Sequence, residues 1–289
     1  MENSLFENEM LNIVQKPTLH KTDVSRSTFF HGDCLVEMDK IEDKSVDMIL
    51  ADPPYGTTAC KWDTVIPFEP MWKELKRIIK PNGAILLFGS DPFTSNLILS
   101  NIQQFKYNWY WKKSKPNGWQ HASNKPMATV ETISVFSKSP MGHISLLGDG
   151  RMNYYPQGVR DNGTIVIKKT KHGESMGARP NQVGKECISK TGFPSNFLEY
   201  PNVVGKACLH PTQKPVALLE YLIKTYTLEG ETVLDFTMGS FSTAIACLNT
   251  KRSFIGIEKD AHYFQVGKDR VEKHLITLDY NPEIVYYQV

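Results

Sequence analysis

The sequence predicts an α/β fold, a mostly parallel sheet with helices on both faces. Three observations carry this. Short apolar runs at 46–51, 84–88, 232–235 and 253–258 are continuous rather than alternating, as strands covered on both faces require. Segments with helical spacing lie between them, and strands alternating with helices build parallel sheets. Two of the runs, moreover, end in an acidic residue followed by a turn, at Asp52 and at Asp235. Carboxyl ends of strands are where open α/β sheets take their ligands.

Taken in order, residues 1–27 form an arm of undetermined order, with a short apolar stretch at 5–14 followed by Lys/Thr/Ser-rich sequence. A short strand ends at Gly32-Asp33, and 35–41 carries helical spacing. The strand 46–51 stops at Pro53-Pro54, because two prolines remove two ladder donors. A helix from near Phe68 runs through Met71, Trp72, Leu75, Ile78 and Ile79, with Pro81-Asn82-Gly83 as its stop. The strand 84–88 ends in Gly89-Ser90-Asp91-Pro92, and 93–105 continues as a helix. Strands at 107–111 and 132–136 bracket a loop, 112–127, that holds four lysines, Trp119 and His121. Periodicity then fails from 140 to 206, where Ile165-Val166-Ile167 is the only clear strand signal. It resumes with a helix at 215–226, a strand at 232–235, a helix at 242–248, a strand at 253–258 and a helix at 261–276. The tail 281–289 is apolar and aromatic enough to pack, against this domain or a partner subunit. The predicted organisation is therefore a main domain from 28–139 and 207–289, with an irregular region, 140–206, inserted in it.

The 289 residues, 40% hydrophobic and 22% charged, suffice for one large α/β domain with an insertion or for two modest domains. No apolar run has the length of a membrane span, and the first 27 residues lack the apolar core of a signal peptide. Five cysteines, at 34, 60, 187, 208 and 247, show neither a CxxC pair nor metal-ligand spacing. The expectation is a cytoplasmic protein with free thiols, no metal and no membrane contact. The net charge of +2 hides a division: residues 112–206 hold 14 Lys/Arg against 6 Asp/Glu, Lys168, Lys169 and Lys171 among them, so that tract carries +8 and the rest −6. A basic tract in an otherwise acidic chain is the footprint of a surface that contacts phosphates, although solvated basic loops share it.

The turn Asp52-Pro53-Pro54-Tyr55 sets a carboxylate, main-chain carbonyls and an aromatic ring in rigid register at a strand end. Such a set suits a flat base with an exocyclic amino group. Asp52 and the Pro53 carbonyl can accept the amino hydrogens, and Tyr55 can face the ring. A plain strand-ending turn with a packed tyrosine is the alternative. The second turn, Asp235-Phe236-Thr237-Met238-Gly239-Ser240, follows a buried strand and precedes a helix, and Glu258 ends the next strand about twenty residues on. This pairing suits a ligand that carries a nucleoside. It lacks G-x-G-x-x-G and Gly-Lys-Ser/Thr, which argues against a dinucleotide or triphosphate.

Together the two turns resemble the amino-methylating DNA methyltransferases that use S-adenosylmethionine. The family's [DNS]-P-P-[YFW] motif stands here as Asp52 to Tyr55, and its cofactor loop as Asp235 to Ser240. Further matches are Gly32-Asp33-Cys34, His210-Pro211-Thr212-Gln213-Lys214-Pro215 and Phe254-Ile255-Gly256-Ile257-Glu258. The target-site half precedes the variable region and the cofactor half comes last, a permuted order like that of the family's β class, to which many restriction-modification and phage enzymes belong. The resemblance covers about residues 28–139 and 207–275, and two positions depart from it. Phe241 stands where Gly is commonest, and Phe236-Thr237 where Pro-Phe is commoner.

The resemblance implies a Rossmann-like methyltransferase fold and a division of roles. Asp52, Pro53, Pro54 and Tyr55 would serve the target base. Asp33 and Cys34 would lie at the cofactor's adenine, Glu258 and Lys259 at its ribose, and Asp235, Phe236, Met238, Gly239 and Ser240 around its methionine portion, with Asp52, Thr212 and Lys214 also lining the cofactor pocket. It implies double-stranded DNA as partner, a base flipped out onto Tyr55, and target recognition by 140–206 with help from 112–127. A homodimer is left open. Asp rather than Ser at the head of the motif favours adenine N6 as the methyl acceptor. The alternatives are cytosine N4 or RNA with the same chemistry, and a non-catalytic DNA-binding relative.

Overall fold

A computed structural model of the chain describes residues 25–58, 60, 62–142, 147–167 and 186–288. The apolar stretch 5–14 and the basic residues Lys168, Lys169 and Lys171 lie outside the described residues. The strands are β1 (Arg26–His31), β2 (Val46–Ala51), β3 (Ile79–Gly89), β4 (Phe105–Asn117), β5 (Ala128–Phe136), β6 (Arg160–Ile167), β7 (Glu186–Thr191), β8 (Phe197–Glu199), β9 (Thr232–Asp235), β10 (Ser253–Glu258) and β11 (Glu283–Gln288). The α-helices are α1 (Cys34–Glu37), α2 (Phe68–Ile78), α3 (Phe93–Ser100), α4 (Val216–Tyr226), α5 (Ser242–Asn249) and α6 (Ala261–Leu275).

Nine strands form one sheet in the order β11-β1-β10-β9-β2-β3-β5-β4-β8. Six of its eight pairings are parallel; β5 runs antiparallel to both β3 and β4. The two halves of the chain interleave here: β10 lies beside β1, and β9 beside β2. Residues far apart in sequence therefore end at the same sheet edge.

Continuous apolar strands are explained by helices on both faces. Alternate side chains of β2 go opposite ways. Met48 and Leu50 join one core with α4, α5 and α6, whereas Ile49 and Ala51 join the other with α2 and α3.

The structure changes several of the predicted boundaries. Pro81-Asn82-Gly83 lies inside β3 rather than ending a helix, because α2 hands over directly to the strand at Ile79 and the ladder with β2 is irregular between Val46 and Met48. Gly83 is there for close approach: a Cβ on it would stand 2.7 Å from the Asp47 carbonyl. The helix expected over 93–105 ends at Ser100, since Phe105 already pairs with Phe136. The loop expected at 112–127 begins only at Gly118. Strand β4 continues to Asn117, leaving a short 3-10 turn at Trp119–His121 as the tip of the β4–β5 hairpin. Within 140–206, β6 and β7 make a separate two-stranded ribbon, whereas β8 pairs with Tyr110 to Lys112 at the main sheet's edge, and Met152 and Leu198 are buried in the main core. The tail packs on its own domain as β11, beside β1.

Candidate active site

Because β1, β10, β9 and β2 are neighbours and all run the same way, the residues that follow them gather along one edge: Asp33 and Cys34 after β1, Glu258 and Lys259 at the end of β10, Asp235 to Ser240 after β9, and Asp52 to Tyr55 after β2. With Thr212 and Lys214 from the loop before α4, they border one cavity of about 640 Å³. The structure thus brings together every residue that the sequence singled out for the target base and the cofactor.

Each turn is fixed by its own hydrogen bonds. Asp33 caps α1 by accepting from the Leu35 amide at 3.0 Å and pairs with Lys259 at 3.0 Å. Burial opposes ionisation of Asp33, but Lys259 and that amide outweigh it and hold the carboxyl below its ordinary value. Beside it, burial and the Asp33 charge push the Cys34 thiol up to about 12, so it is no nucleophile. Glu258 accepts the Gly239 amide at 2.8 Å with one oxygen and the Asp260 amide at 2.8 Å with the other, which ties the two cofactor-type turns together. Gly239 has φ +51, a conformation that side-chain-bearing residues rarely adopt, and it brings bare main chain to the cavity. Asp235 is buried and accepts from the Thr243 hydroxyl at 2.6 Å and the Thr237 amide at 3.1 Å; burial still pushes its carboxyl up to about 7. Phe236 and Met238 border the cavity with their side chains packed into the two cores.

At the Asp52 end the structure shows partners that the sequence did not reveal. The Tyr55 hydroxyl donates to Asp52 Oδ1 at 2.5 Å, with Glu131 Oε1 3.1 Å away. Lys214 Nζ meets Asp52 Oδ2 at 2.5 Å and Glu131 Oε1 at 2.9 Å, and Lys113 Nζ meets Glu131 Oε2 at 2.6 Å. Two lysines thus balance two carboxylates, and the Tyr55 ring is held by its hydroxyl and by stacking on Phe93 at 5.0 Å. Burial raises the Asp52 carboxyl above its ordinary value; Lys214 opposes the rise and Glu131 adds to it. At Glu131 burial acts the same way, but Lys214 and Lys113 outweigh it and bring the carboxyl down to about 2. Burial and both carboxylates raise the Tyr55 hydroxyl well above its ordinary value, which keeps it a donor.

Strand register explains how Glu131 gets there. Residue 132 pairs with Gly89 at the carboxyl end of β3, so Glu131 lies just past that end, at the sheet edge where the turn after β2 also stands. The sequence signal was a lone acidic residue at the head of an apolar strand. Lys113, counted with the basic tract, is buried in this cluster rather than exposed to phosphates. Trp119, in contrast, stands 73% exposed at the hairpin tip. His210 also reaches the cavity; its ring packs on Tyr263 at 4.1 Å and on Trp62 at 5.2 Å, and burial lowers it to about 4, leaving it neutral.

The donor set says what kind of ligand fits. Carboxyl groups outnumber lysines around the cavity, Asp33, Asp52, Asp235, Glu258 and Asp260 against Lys214 and Lys259, while the Asp63 carboxylate at its border is taken up by main-chain amides, so a cationic, hydroxyl-bearing ligand suits it and a polyphosphate does not. Among the described residues no cluster of His, Cys, Asp or Glu is placed to hold a metal ion, and no helix is long and apolar enough to cross a membrane.

A parallel-centred sheet with acidic turns gathered at one edge and a permuted chain order defines a Rossmann-like methyltransferase fold. A crystal structure of M1.HpyAVI in complex with SAM shares it, with a TM-score of 0.53 at 24% identity over 84% of this chain and 98% of that one. Residues 46–269 match the DNA methylase family of N6/N4 type, and the chain belongs to that family. Type II methyltransferase M1.MboII of Moraxella bovis is 30% identical over 249 residues, 80% of this chain and 90% of that protein. DNA adenine methyltransferase YhdJ of Escherichia coli K12 is 30% identical over 261 residues, 85% of this chain and 82% of its own length. The protein is a DNA methyltransferase.

Proposed function

We propose that this enzyme methylates the exocyclic N6 of an adenine flipped out of double-stranded DNA, with S-adenosylmethionine as donor. The observation that carries the proposal is the Asp52 carboxylate, held by Tyr55 and Lys214 at the end of β2, where it borders the same acidic cavity as the turns after β1, β9 and β10. The donor set fits the cofactor: Asp33 suits its adenine, Glu258 its ribose hydroxyls, and the main chain at Gly239 with Asp235 its methionine portion. When bound there, the cofactor supplies an electrophilic methyl group on a sulfonium.

The chain's own residues deal with the other reactant. An exocyclic amino nitrogen is a poor nucleophile because its lone pair is delocalised into the ring. Asp52 and the Pro53 carbonyl accept its two hydrogens, which favours a pyramidal nitrogen with its lone pair aimed at the methyl group. Tyr55 stacks on the base. Lys214 and Tyr55 hold the Asp52 oxygens still, so orientation and the field of a fixed carboxylate, matched to developing positive charge, supply the acceleration. Asp52, whose carboxyl burial raises above its ordinary value, stands at the amino group and takes the proton that the product nitrogen sheds.

Adenine is favoured over cytosine by Asp at the head of the motif and by the likeness to YhdJ, which is named an adenine methyltransferase. The basic tract 112–206 supplies phosphate contacts and the irregular region 140–206 the sequence readout. The test is incubation with methyl-labelled cofactor and genomic DNA, then mass spectrometry of nucleosides and mapping of modified bases. The expected product is N6-methyladenine from the wild type and none from Asp52→Ala, which should still bind cofactor. N4-methylcytosine as the main product would overturn the assignment to adenine, and parallel loss of cofactor affinity and turnover would overturn the role of Asp52.

A further inference from the structure

We propose that Asp63 is a positioning residue for methyl transfer: its carboxylate gathers the main-chain amides that follow the Asp52–Tyr55 turn and thereby sets the Tyr55 ring. Asp63 Oδ1 accepts from the amides of Tyr55 at 2.8 Å and Gly56 at 2.9 Å, and Oδ2 from those of Thr57 at 2.9 Å and Thr58 at 2.7 Å. Four successive amides pointing at one anion form a nest, a main-chain arrangement usually filled by a phosphate or another bound anion. Here the anion comes from the chain itself. Gly56 makes the nest possible with φ +68, and a Cβ on it would also stand 2.9 Å from Val65 Cγ2.

Several features show that this carboxylate is built in rather than incidental. Asp63 is 8% exposed, and among the described residues no lysine or arginine pairs with it. Burial opposes the charge, but the Thr58 hydroxyl and the amides of Gly56, Thr58 and Thr57 outweigh it and keep the carboxyl below its ordinary value. A buried anion that depends on four amides holds those amides in place in return. Asp63 also borders the cavity, yet none of its hydrogen-bond partners belongs to the turns after β1, β9 or β10. Tyr55 is therefore fixed from two ends: Glu131 and Asp52 at the hydroxyl, Asp63 at the amide. An error at the amide end tilts the stacking face while the cofactor turns stay as they are.

This inference rests on the methyl-transfer proposal above, and the test separates the two. Asp63→Asn keeps the shape but offers one acceptor oxygen where two are needed and turns a donor toward the amides. Measured on the full chain at the mapped target site, it should lower kcat at least tenfold while the cofactor dissociation constant stays within about threefold. 2-Aminopurine placed at the target position should report weaker stacking than in the wild-type complex. Hydrogen exchange at residues 55–58 should speed up. Gly56→Ala, which disturbs the nest from the donor side, should reproduce the kcat loss should Asp63→Asn fail to fold. Wild-type kcat and 2-aminopurine signal in both variants would overturn the inference, as would cofactor affinity and kcat falling together. A wild type that transfers no methyl group would overturn the methyl-transfer proposal itself, and this inference with it.

Discussion

Replacing Asp235 by Asn tests the electrostatics of the cofactor turns through stability alone. The Asp235 side chain is buried, accepts one hydroxyl and one amide, and has its carboxyl pushed from 3.8 up to about 7, chiefly by burial. The folded state therefore holds a proton that the unfolded chain releases near pH 4. Between those two values the native state binds more protons than the unfolded one, so this group makes the protein less stable as pH rises from about 4 to 7. At about 1.4 kcal/mol per pH unit the full penalty above pH 7 is about 4 kcal/mol.

An amide of the same shape removes the titration. It can still accept the Thr237 amide, and the Thr243 hydroxyl can turn round to accept from it. By linkage, the penalty on the wild type grows by about 2–3 kcal/mol between pH 5 and pH 8. The expected result is that Asp235→Asn melts above the wild type at pH 8, with a margin wider there than at pH 5 by roughly 5–10 °C. Differential scanning calorimetry of both proteins at the two pH values, without cofactor, measures this. A margin that is constant, or that shrinks toward pH 8, would refute the claim that Asp235 is held protonated by burial.

Two further outcomes follow from the packing. Lys214→Met strands Asp52 and Glu131 beside each other without the cation they share, so it should cost about 3–5 kcal/mol, the range for breaking a buried ion pair, and abolish methyl transfer; an unchanged melting temperature would mean the cluster is not buried as described. Phe241→Gly loses a fully buried ring, stacked on Phe29 at 5.2 Å, but relieves a left-handed φ of +61, so the net loss should be about 2–4 kcal/mol with cofactor affinity within threefold; a tenfold change in affinity at constant melting temperature would place the ring in the pocket.

Phe241 shows how a departure from a pattern can be legible in position and not in reason. The chain takes a left-handed turn into α5 with φ +61, a conformation that suits the Gly of the family pattern, and here the turn carries a phenyl ring. The ring does not border the cavity. It enters the core between Phe29 and Phe264, and Gly267 on α6 leaves the room, since a Cβ there would collide with it. A glycine in mid-helix, costly in itself, is thus the complement of an aromatic residue at a glycine's place. Neither position explains itself until the two are seen in contact.

The strands β2, β9 and β10 were readable to the residue because burial on both faces leaves a continuous apolar run bounded by polar turns, and the motifs riding on their ends came with them. Glu131, Lys113 and Asp63 were not readable, for a different reason. A charged side chain inside a fold must have a partner, but that rule applies only once burial is known, and in sequence Glu131 was simply the polar end of a strand. Its partners come from a residue on the adjacent strand and from a loop more than eighty residues away, joined only by the register of β5 on β3 and β4 and by the return of the chain at Lys214. Local pattern locates the groups that touch the ligands, because those sit on strand ends. The groups that hold them there are set by which strands are neighbours, and in a sheet whose two halves interleave that information is distributed over the whole chain.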